Sequence, residues 1–168
     1  MRHFPLHPRT PEAGLTLEEL FAGRNIDIPA SQARMANLMA EEGLPYGPRT
    51  MTYNSRLAQE LAAWAVSIPG GDGIHDALFR AYFVNNVNLA DTANLIAIAT
   101  ELGLPQGEAT KVLQERTRRN AVDEDWKRSR ALGITGVPTF VVGNAGVVGA
   151  QSYEQLRAFV SSNGAQRR

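Results

Sequence analysis

The sequence contains no cysteine among its 168 residues. This absence excludes disulfide bonds, thiolate zinc sites, iron–sulfur clusters and cysteine nucleophiles from the chemistry of the chain itself. The three histidines are His3, His7 and His75; His3 and His7 have no pair of acidic ligands near them in the sequence, and His75 is far along the chain. Nor does a Ser–His–Asp order suggest a hydrolase. We therefore predict no metal site, no bound cofactor and no catalytic side chain within the chain.

An excess of charge is also lacking. The 17 basic and 17 acidic residues give a formal net charge of zero, whereas proteins that bind nucleic acids or anionic membranes usually carry a basic excess. No apolar run approaches the roughly 20 residues that a membrane span needs, and residues 1–5 lack the apolar stretch of a secretory signal. We expect a cytoplasmic domain whose partners are neither nucleic acids nor membranes.

Capping residues and apolar spacing predict a mostly helical chain. Thr16 begins a short helix with a capping box, and Ser152 begins the last helix in the same way. Asp91 is the predicted cap of another helix, and Ser31 of one that continues to about residue 42. The segment from Gly107 onward is helical in pattern but charged in its middle, which predicts one kinked helix or two in succession. Its run of four residues 116–119 (RTRR) is predicted to be a solvated face, because acidic residues follow directly.

Strand signals occur at the two ends of the chain. Residues 1–8 alternate and carry Pro5 and Pro8, which predicts a short strand at a sheet edge or an extended lead-in. After Thr135 the character changes, since the β-branched runs TFVVG and GVVGA surround Asn144-Ala145-Gly146. That pattern predicts a β-hairpin.

The hairpin region carries a resemblance to a known family. Residues 131–160 read ALGITGVPTFVVGNAGVVGAQSYEQLRAFV, in which Gly-Val-Pro-Thr-Phe directly precedes an apolar strand and Gly-Ala-Gln precedes a helix. This stretch resembles the cis-proline loop and following elements of DsbA-like oxidoreductases of the FrnE type. Upstream segments are similar to the same family in the same order: RHFPLHPRTPEAG, MANLMAEEGLPYGPRTMTYNSRLAQELAAWA and HDALFRAYFVNNVNLADTANLIAIATELGL.

The resemblance implies an α/β, thioredoxin-like (DsbA-like) fold with a large helical insertion. It implies a single domain over residues 1–164, with the insertion at about 31–131, a thioredoxin-like C-terminal part at about 134–162 and a disordered tail at 165–168. Members of the family begin with a strand and a helix that opens with Cys-x-x-Cys. Here the chain starts at what would be the second strand, so we predict that this N-terminal strand–helix unit is missing.

The family's activity is thiol–disulfide exchange, and the resemblance places this chain in that group as a truncated or degenerate member. A chain without cysteine is predicted to be redox-inactive, since the exchange needs a thiolate. Two alternatives stay open. The chain is a redox-silent module that binds peptides through the cis-proline loop, or it is a relative of the glutathione-linked isomerases and transferases. The true gene product starting upstream with a Cys-x-x-Cys segment is the simpler explanation of the missing cysteines.

The resemblance also implies the substrate-binding residues. Val137, Pro138 and Thr139 would present their backbone to an extended peptide or a protein thiol substrate, which pairs with it as an added strand. Asn54 and Ser55 would lie near the groove that faces the active site, and they are also candidate caps of the following helix. Without a central first strand, the neighbouring strand edges would be open, which predicts a homo-oligomer formed through these edges.

Overall fold

The computed structural model describes residues 1–164, so the tail predicted at 165–168 lies outside the described residues. Within that range helices predominate, and none of them is both long and apolar enough to cross a membrane. The α-helices are α1 (Leu17–Leu20), α2 (Ile28–Glu41), α3 (Arg56–Ala65), α4 (Ile74–Phe83), α5 (Thr92–Glu101), α6 (Gln106–Glu115), α7 (Arg119–Ala131) and α8 (Tyr153–Ser162). The strands are β1 (Leu15–Thr16), β2 (Met51–Thr52), β3 (Thr139–Val142) and β4 (Ala145–Val148).

The chain divides into two compact units. A helical unit covers His7–Asp123, and a terminal unit combines Met1–Leu6 with the chain from Glu124 onward. The two short sheets belong to different units: β1 pairs with β2 in the helical unit, and β3 pairs with β4 in the terminal unit, both antiparallel.

The helical unit has a continuous hydrophobic core formed mainly by α3, α4, α5 and α6. One fully buried residue from each of these helices lies in it: Leu61, Ile74, Leu95 and Ala109. The apolar residues recur at three- and four-residue spacing, so each helix presents one apolar face to its neighbours. The core thereby fixes the first turn of α3 relative to the C-terminal end of α6.

The capping patterns correctly predicted the starts of three helices. Both capping boxes are present, at Thr16 before α1 and at Ser152 before α8, and the Asp91 side chain caps α5. The charged segment forms two helices in succession, α6 and α7. The prediction for α2 was wrong at its start, because this helix begins one turn earlier with Asp27 as its cap. Its second residue is a proline, which the first turn of a helix tolerates because the amide there has no helical partner.

Residues 1–8 contain no strand: residues 1–5 have no regular element, and bends and a turn follow at residues 6–8. Asp125 instead holds the beginning of the chain: its carboxylate accepts hydrogen bonds from the backbone N–H of His3 at 3.1 Å and from the His3 ring at 3.0 Å. Arg2 adds an ion pair to the same carboxylate at 3.1 Å. A strand needs a neighbour to complete its hydrogen bonds, and the described chain supplies none here. Side-chain contacts fix this segment in its place.

The predicted hairpin is present, but its turn lies one residue earlier than the centre of the sequence signal. Val142 pairs with Ala145, so the loop consists of Gly143 and Asn144. Gly143 has φ 58°, a left-handed conformation that glycine adopts without steric cost. Two-residue hairpin loops favour glycine at this first position. The turn is therefore fixed by Gly143, while Gly146 lies within β4.

Candidate functional site

The predicted substrate-binding residues form two groups. Val137, Pro138 and Thr139 lie together at the start of β3 in the terminal unit, whereas Asn54 and Ser55 lie together before α3 in the helical unit. The structure thus brings each group together within its own unit.

The turn before β3 is held from both sides. The Val137–Pro138 peptide bond is cis. The Pro138 carbonyl accepts a hydrogen bond from the Gly149 N–H at 2.8 Å, and the Thr139 hydroxyl donates to the Gly136 carbonyl at 2.6 Å. Val137 lies between these anchors, is 46% exposed, and its backbone N–H and C=O make no hydrogen bond to any residue in 1–164. It is an ordered backbone segment with unpaired polar groups.

The hairpin register extends this unpaired edge along β3. In an antiparallel pair, residues alternate between those bonded to the partner strand and those whose N–H and C=O point away from it. Val142 flanks the two-residue loop, so its backbone groups are hydrogen-bonded to the partner strand β4. Pro138 is four residues earlier, and its carbonyl accepts the Gly149 N–H, which fits the same alternation of every second residue. The backbone groups of Val137, Thr139 and Val141 therefore point to the open side of β3. These three residues form one edge, which we call the β3 edge.

Both faces of the hairpin are accessible to solvent. Val141 is 45% exposed on one face, Phe140 is 38% exposed on the other, and Val148 of β4 is 54% exposed. None of the residues of β3, β4 or α8 is buried. An edge with open hydrogen-bonding groups and apolar side chains is the usual template for pairing with another strand.

Asn54 has a structural role at the start of α3. Its amide donates to the carbonyls of Thr10 at 2.8 Å and Pro8 at 3.3 Å, and its carbonyl oxygen accepts the N–H of Arg56 at 2.9 Å. Asn54 thus satisfies the first amide of α3 from the position before the N-cap residue Ser55, whose own side chain makes no capping bond, and Asn54 also fixes the loop before β1. Ser55 is exposed, and its hydroxyl accepts a hydrogen bond from the Gln59 side chain at 3.1 Å. For Asn54, only the carbonyl oxygen retains capacity for a further partner.

A buried ion cluster lies next to this cap. The Glu60 carboxylate is entirely buried and accepts two hydrogen bonds from Arg116 and one from Arg56, at 2.7, 2.7 and 2.6 Å. Arg56 also donates to Asp123 at 2.7 Å and to the Arg119 carbonyl at 2.9 Å. Arg116 itself ends α6 in a left-handed conformation, with φ 54°. The cluster joins α3, the end of α6 and the beginning of α7.

The electrostatics of this cluster depend on its hydrogen bonds. Burial raises the pKa of the Glu60 carboxyl, but the hydrogen bonds and charges of Arg116 and Arg56 outweigh burial and hold that pKa below its usual range. The hydrogen bond to Glu60 raises the pKa of Arg116. The carboxylate therefore stays ionised, fixes the Arg116 guanidinium in the plane of a bidentate contact, and holds Arg56 by a single hydrogen bond.

Sequence reasoning missed this cluster. The prediction that the run 116–119 is a solvated face was wrong for Arg116, which pairs with buried Glu60, although Arg119 is 67% exposed. One signal was available: Glu60 stands on the apolar face of α3, four residues after Arg56, which is the spacing of a helical ion pair. The pairing with Arg116 spans 56 positions and has no local signal.

Beside the cluster the helical unit contains an open cleft of about 280 Å³. Its lining residues are Glu12, Asn54, Arg56, Leu57, Ala90, Thr92 and Arg116. Charged groups of both signs and two apolar side chains thus face one small volume. No cluster of three or more candidate metal ligands occurs anywhere in residues 1–164.

Comparison with known sequences identifies a family that covers nearly the whole chain. A family model described as a DSBA-like thioredoxin domain matches residues 1–161. Protein YwbO of Bacillus subtilis (strain 168), described as uncharacterized, is 27% identical over 92 residues, which is 54% of this chain and 46% of that protein. The chain thus aligns with about half the length of this curated relative.

Comparison with solved structures agrees with the family match. A probable DsbA oxidoreductase from Streptomyces coelicolor has a TM-score of 0.85 and 28% identity, over 99% of this chain and 75% of that one. A putative protein disulfide isomerase from Nitrosomonas europaea has a TM-score of 0.66 and 18% identity, over 91% of this chain and 77% of that one. The cytosolic disulfide reductase DsbM from Pseudomonas aeruginosa has a TM-score of 0.58 and 20% identity, over 80% of this chain and 74% of that one. These likenesses confirm the predicted DsbA-like thioredoxin fold.

Proposed function

Because the chain belongs to the DSBA-like thioredoxin domain family, we propose that it supplies the polypeptide-docking part of thiol–disulfide chemistry and performs no thiol exchange by itself. Its ligand is an extended peptide or a protein thiol substrate, which pairs with the β3 edge. The β3 edge is the observation that carries this proposal, since its open backbone groups lie on a turn that is anchored on both sides.

The redox part of the proposal follows from chemistry. A disulfide is exchanged when a thiolate attacks one of its sulfur atoms and a mixed disulfide forms. The chain has no cysteine, so it can neither attack a disulfide nor hold the mixed intermediate. Exchange at this docking edge would require a cysteine from outside these 168 residues.

The docking part rests on strand addition. Val137, Thr139 and Val141 present N–H and C=O groups at intervals of two residues, which is about 7 Å along a strand. An extended peptide presents the complementary groups at the same interval, so main-chain hydrogen bonds give affinity without a fixed sequence. The exposed Phe140 and Val141 side chains add apolar contacts for the peptide's own side chains. We expect a preference for extended, apolar segments.

Asn54 and Ser55 belong to the proposal as further substrate contacts. The open capacity of Asn54 is its carbonyl oxygen, and the Ser55 hydroxyl is exposed. Both groups can accept a hydrogen bond from a ligand amide, while their present contacts with the chain remain intact. No described contact favours the glutathione-linked alternative, which stays a prediction.

Self-association is proposed through the same edge. A β3 edge from a second copy offers the same complementary groups as a peptide, so two copies can pair strand to strand. Peptide binding and self-association would then compete. We also propose that the chain acts in the cytoplasm and that residues 1–164 work as one domain; the cytosolic reductase from P. aeruginosa shares the fold.

The proposal is tested by titrating the full chain with a cysteine-free extended peptide of apolar sequence, followed through the backbone amide signals in nuclear magnetic resonance. We expect saturable changes at Val137, Thr139 and Val141. A matched peptide that is N-methylated at alternate residues lacks the outward donors on one edge, and it is expected to bind at least about tenfold more weakly. Equal binding of the two peptides, or signal changes confined to other residues, would contradict docking at the β3 edge.

The claim that the chain performs no thiol exchange is tested by a separate measurement. Reduction of insulin by dithiothreitol in the presence of the chain is expected to proceed at the rate of dithiothreitol alone. An acceleration that scales with protein concentration would show that the argument from absent thiols is wrong.

A further inference from the structure

The cleft belongs to the helical unit and shares no residue with the β3 edge, although Asn54, proposed above as a further substrate contact, is among its lining residues. At about 280 Å³ it is slightly smaller than the sites that hold drug-sized ligands. Two of its lining residues carry groups of opposite charge that are available to a ligand: Arg116 and Glu12. The remaining wall includes the apolar side chains of Leu57 and Ala90.

Arg116 is a positioned cation. Its Nε and Nη2 donate to Glu60 at 2.7 Å each, and this bidentate contact fixes the guanidinium plane. Its Nη1 makes no hydrogen bond to any residue of the described range 1–164, and the side chain is 40% exposed. Because the guanidinium is already fixed by Glu60, an incoming carboxylate meets an ordered donor group.

The left-handed backbone of Arg116 is a second sign of a positioned residue. A side chain with a Cβ takes this conformation at a steric cost that glycine avoids, yet Arg116 ends α6 with φ 54° and ψ 38°. Such local strain persists only where surrounding contacts determine it, and it concentrates at ligand sites. Here the Arg116 side chain is held by the buried Glu60 carboxylate through its Nε and Nη2.

The acceptor side of the cleft is formed by Glu12 and Asn54. Glu12 is exposed at residue level, and its carboxylate would repel a multiply charged anion such as phosphate. Asn54 uses both amide hydrogens on chain carbonyls, and its carbonyl oxygen, which already accepts the Arg56 N–H, has capacity for one more donor. A ligand that carries one carboxylate and one ammonium group satisfies both sides of the cleft.

We infer that the cleft binds a small zwitterion of the free α-amino acid class, with its carboxylate on Arg116, its ammonium group toward Glu12 and an aliphatic side chain against Leu57 and Ala90. The apolar wall favours an aliphatic amino acid over a polar one. The volume limits the ligand to a small metabolite.

The experiment is a calorimetric titration of the full chain with L-leucine, with acetate and isopentylamine as probes that each lack one of the two charges. We expect L-leucine to bind at least about tenfold more tightly than either probe. In Glu12→Gln the affinity for L-leucine is expected to fall about tenfold while that for acetate is retained or rises. The matched control Glu42→Gln, which changes an exposed carboxylate outside the cleft, should leave all three affinities unchanged.

Several outcomes would overturn the inference. Equal binding of L-leucine and acetate, with no effect of Glu12→Gln, would mean a simple anion site. Absence of L-leucine binding to the folded wild-type chain would remove the site altogether. Arg116→Lys keeps a positive charge beside Glu60 but loses the planar fork; if it remains folded by circular dichroism and binds L-leucine as the wild type does, the assigned carboxylate contact is wrong.

Discussion

The Glu60 carboxylate is entirely buried, and both of its oxygens accept hydrogen bonds from the Arg116 guanidinium at 2.7 Å. Glu60 lies in the middle of α3, and Arg116 ends α6. A carboxylate withdrawn from water is stable only when its partners replace the lost solvation. The two helices are therefore held in a register that keeps this pair together. The same pair fixes the position of Arg116, which lines the neighbouring cleft.

Removal of the Glu60 charge is expected to be strongly destabilising. Glu60→Gln removes the counter-charge that Arg116 and Arg56 share; because Arg56 keeps its ion pair with Asp123 and Arg116 is 40% exposed, the loss should be about 1.5–3 kcal/mol of unfolding free energy. Urea unfolding measures the loss. The exposed pair Asp76–Arg80 provides the control, since Asp76→Asn should cost less than about 0.5 kcal/mol. Equal losses in the two variants would contradict the importance assigned to burial.

The same carboxylate predicts a pH dependence. Arg116 and Arg56 outweigh burial and hold the pKa of folded Glu60 below its ordinary value of 4.5. The stabilisation is therefore fully present above the unfolded pKa and is lost as the pH falls through the folded pKa. The difference in unfolding free energy between wild type and Glu60→Gln should shrink as the pH falls below about 4.5. A difference that stays constant from about pH 7 to 3 would exclude this linkage.

Asp125 is expected to keep the first residues of the chain, around His3, in a fixed conformation. Its carboxylate accepts hydrogen bonds from the backbone and ring of His3 and from Arg2. Burial raises the pKa of Asp125, but these bonds outweigh it and leave the pKa below its usual value. Asp125→Asn should therefore speed amide hydrogen exchange at residues 2–4 by about tenfold or more.

The neighbouring exposed residue supplies the control for that prediction. Glu124→Gln removes a charge without touching the contact to His3, so exchange at residues 2–4 should stay at the wild-type rate. Unchanged exchange in Asp125→Asn as well would show that other contacts hold the segment.

Local features of the fold could be predicted from the sequence, because their causes are local. The capping boxes at Thr16 and Ser152 bind within four residues, so the residue pattern contains the whole interaction. The predicted start of α2 was wrong because Asp27 and Ser31 are both good capping residues and lie one helical turn apart. There the proline at the first turn decides in favour of Asp27.

Long-range features could not be predicted in this way. The contact between Glu60 and Arg116 depends on how α3 packs against α6, which no local pattern records. The strand expected in residues 1–8 failed for a related reason, because strand formation depends on a neighbour that the sequence pattern does not name. The resemblance indicated the right family, whereas the unpaired edge that continues from Val137 to Val141 emerged from the hairpin register.

The β3 edge is tested most directly by removing one outward-pointing donor. In Val141→Pro the lost N–H is one that points away from β4, and proline is tolerated at such an edge position. We predict that this variant keeps the hairpin, judged by the amide signals of β4, but binds the cysteine-free extended peptide at least about tenfold more weakly than the wild type. Phe140→Pro removes a bond to β4 instead and should disrupt the hairpin itself. Wild-type peptide affinity in a folded Val141→Pro chain would contradict the proposed docking edge.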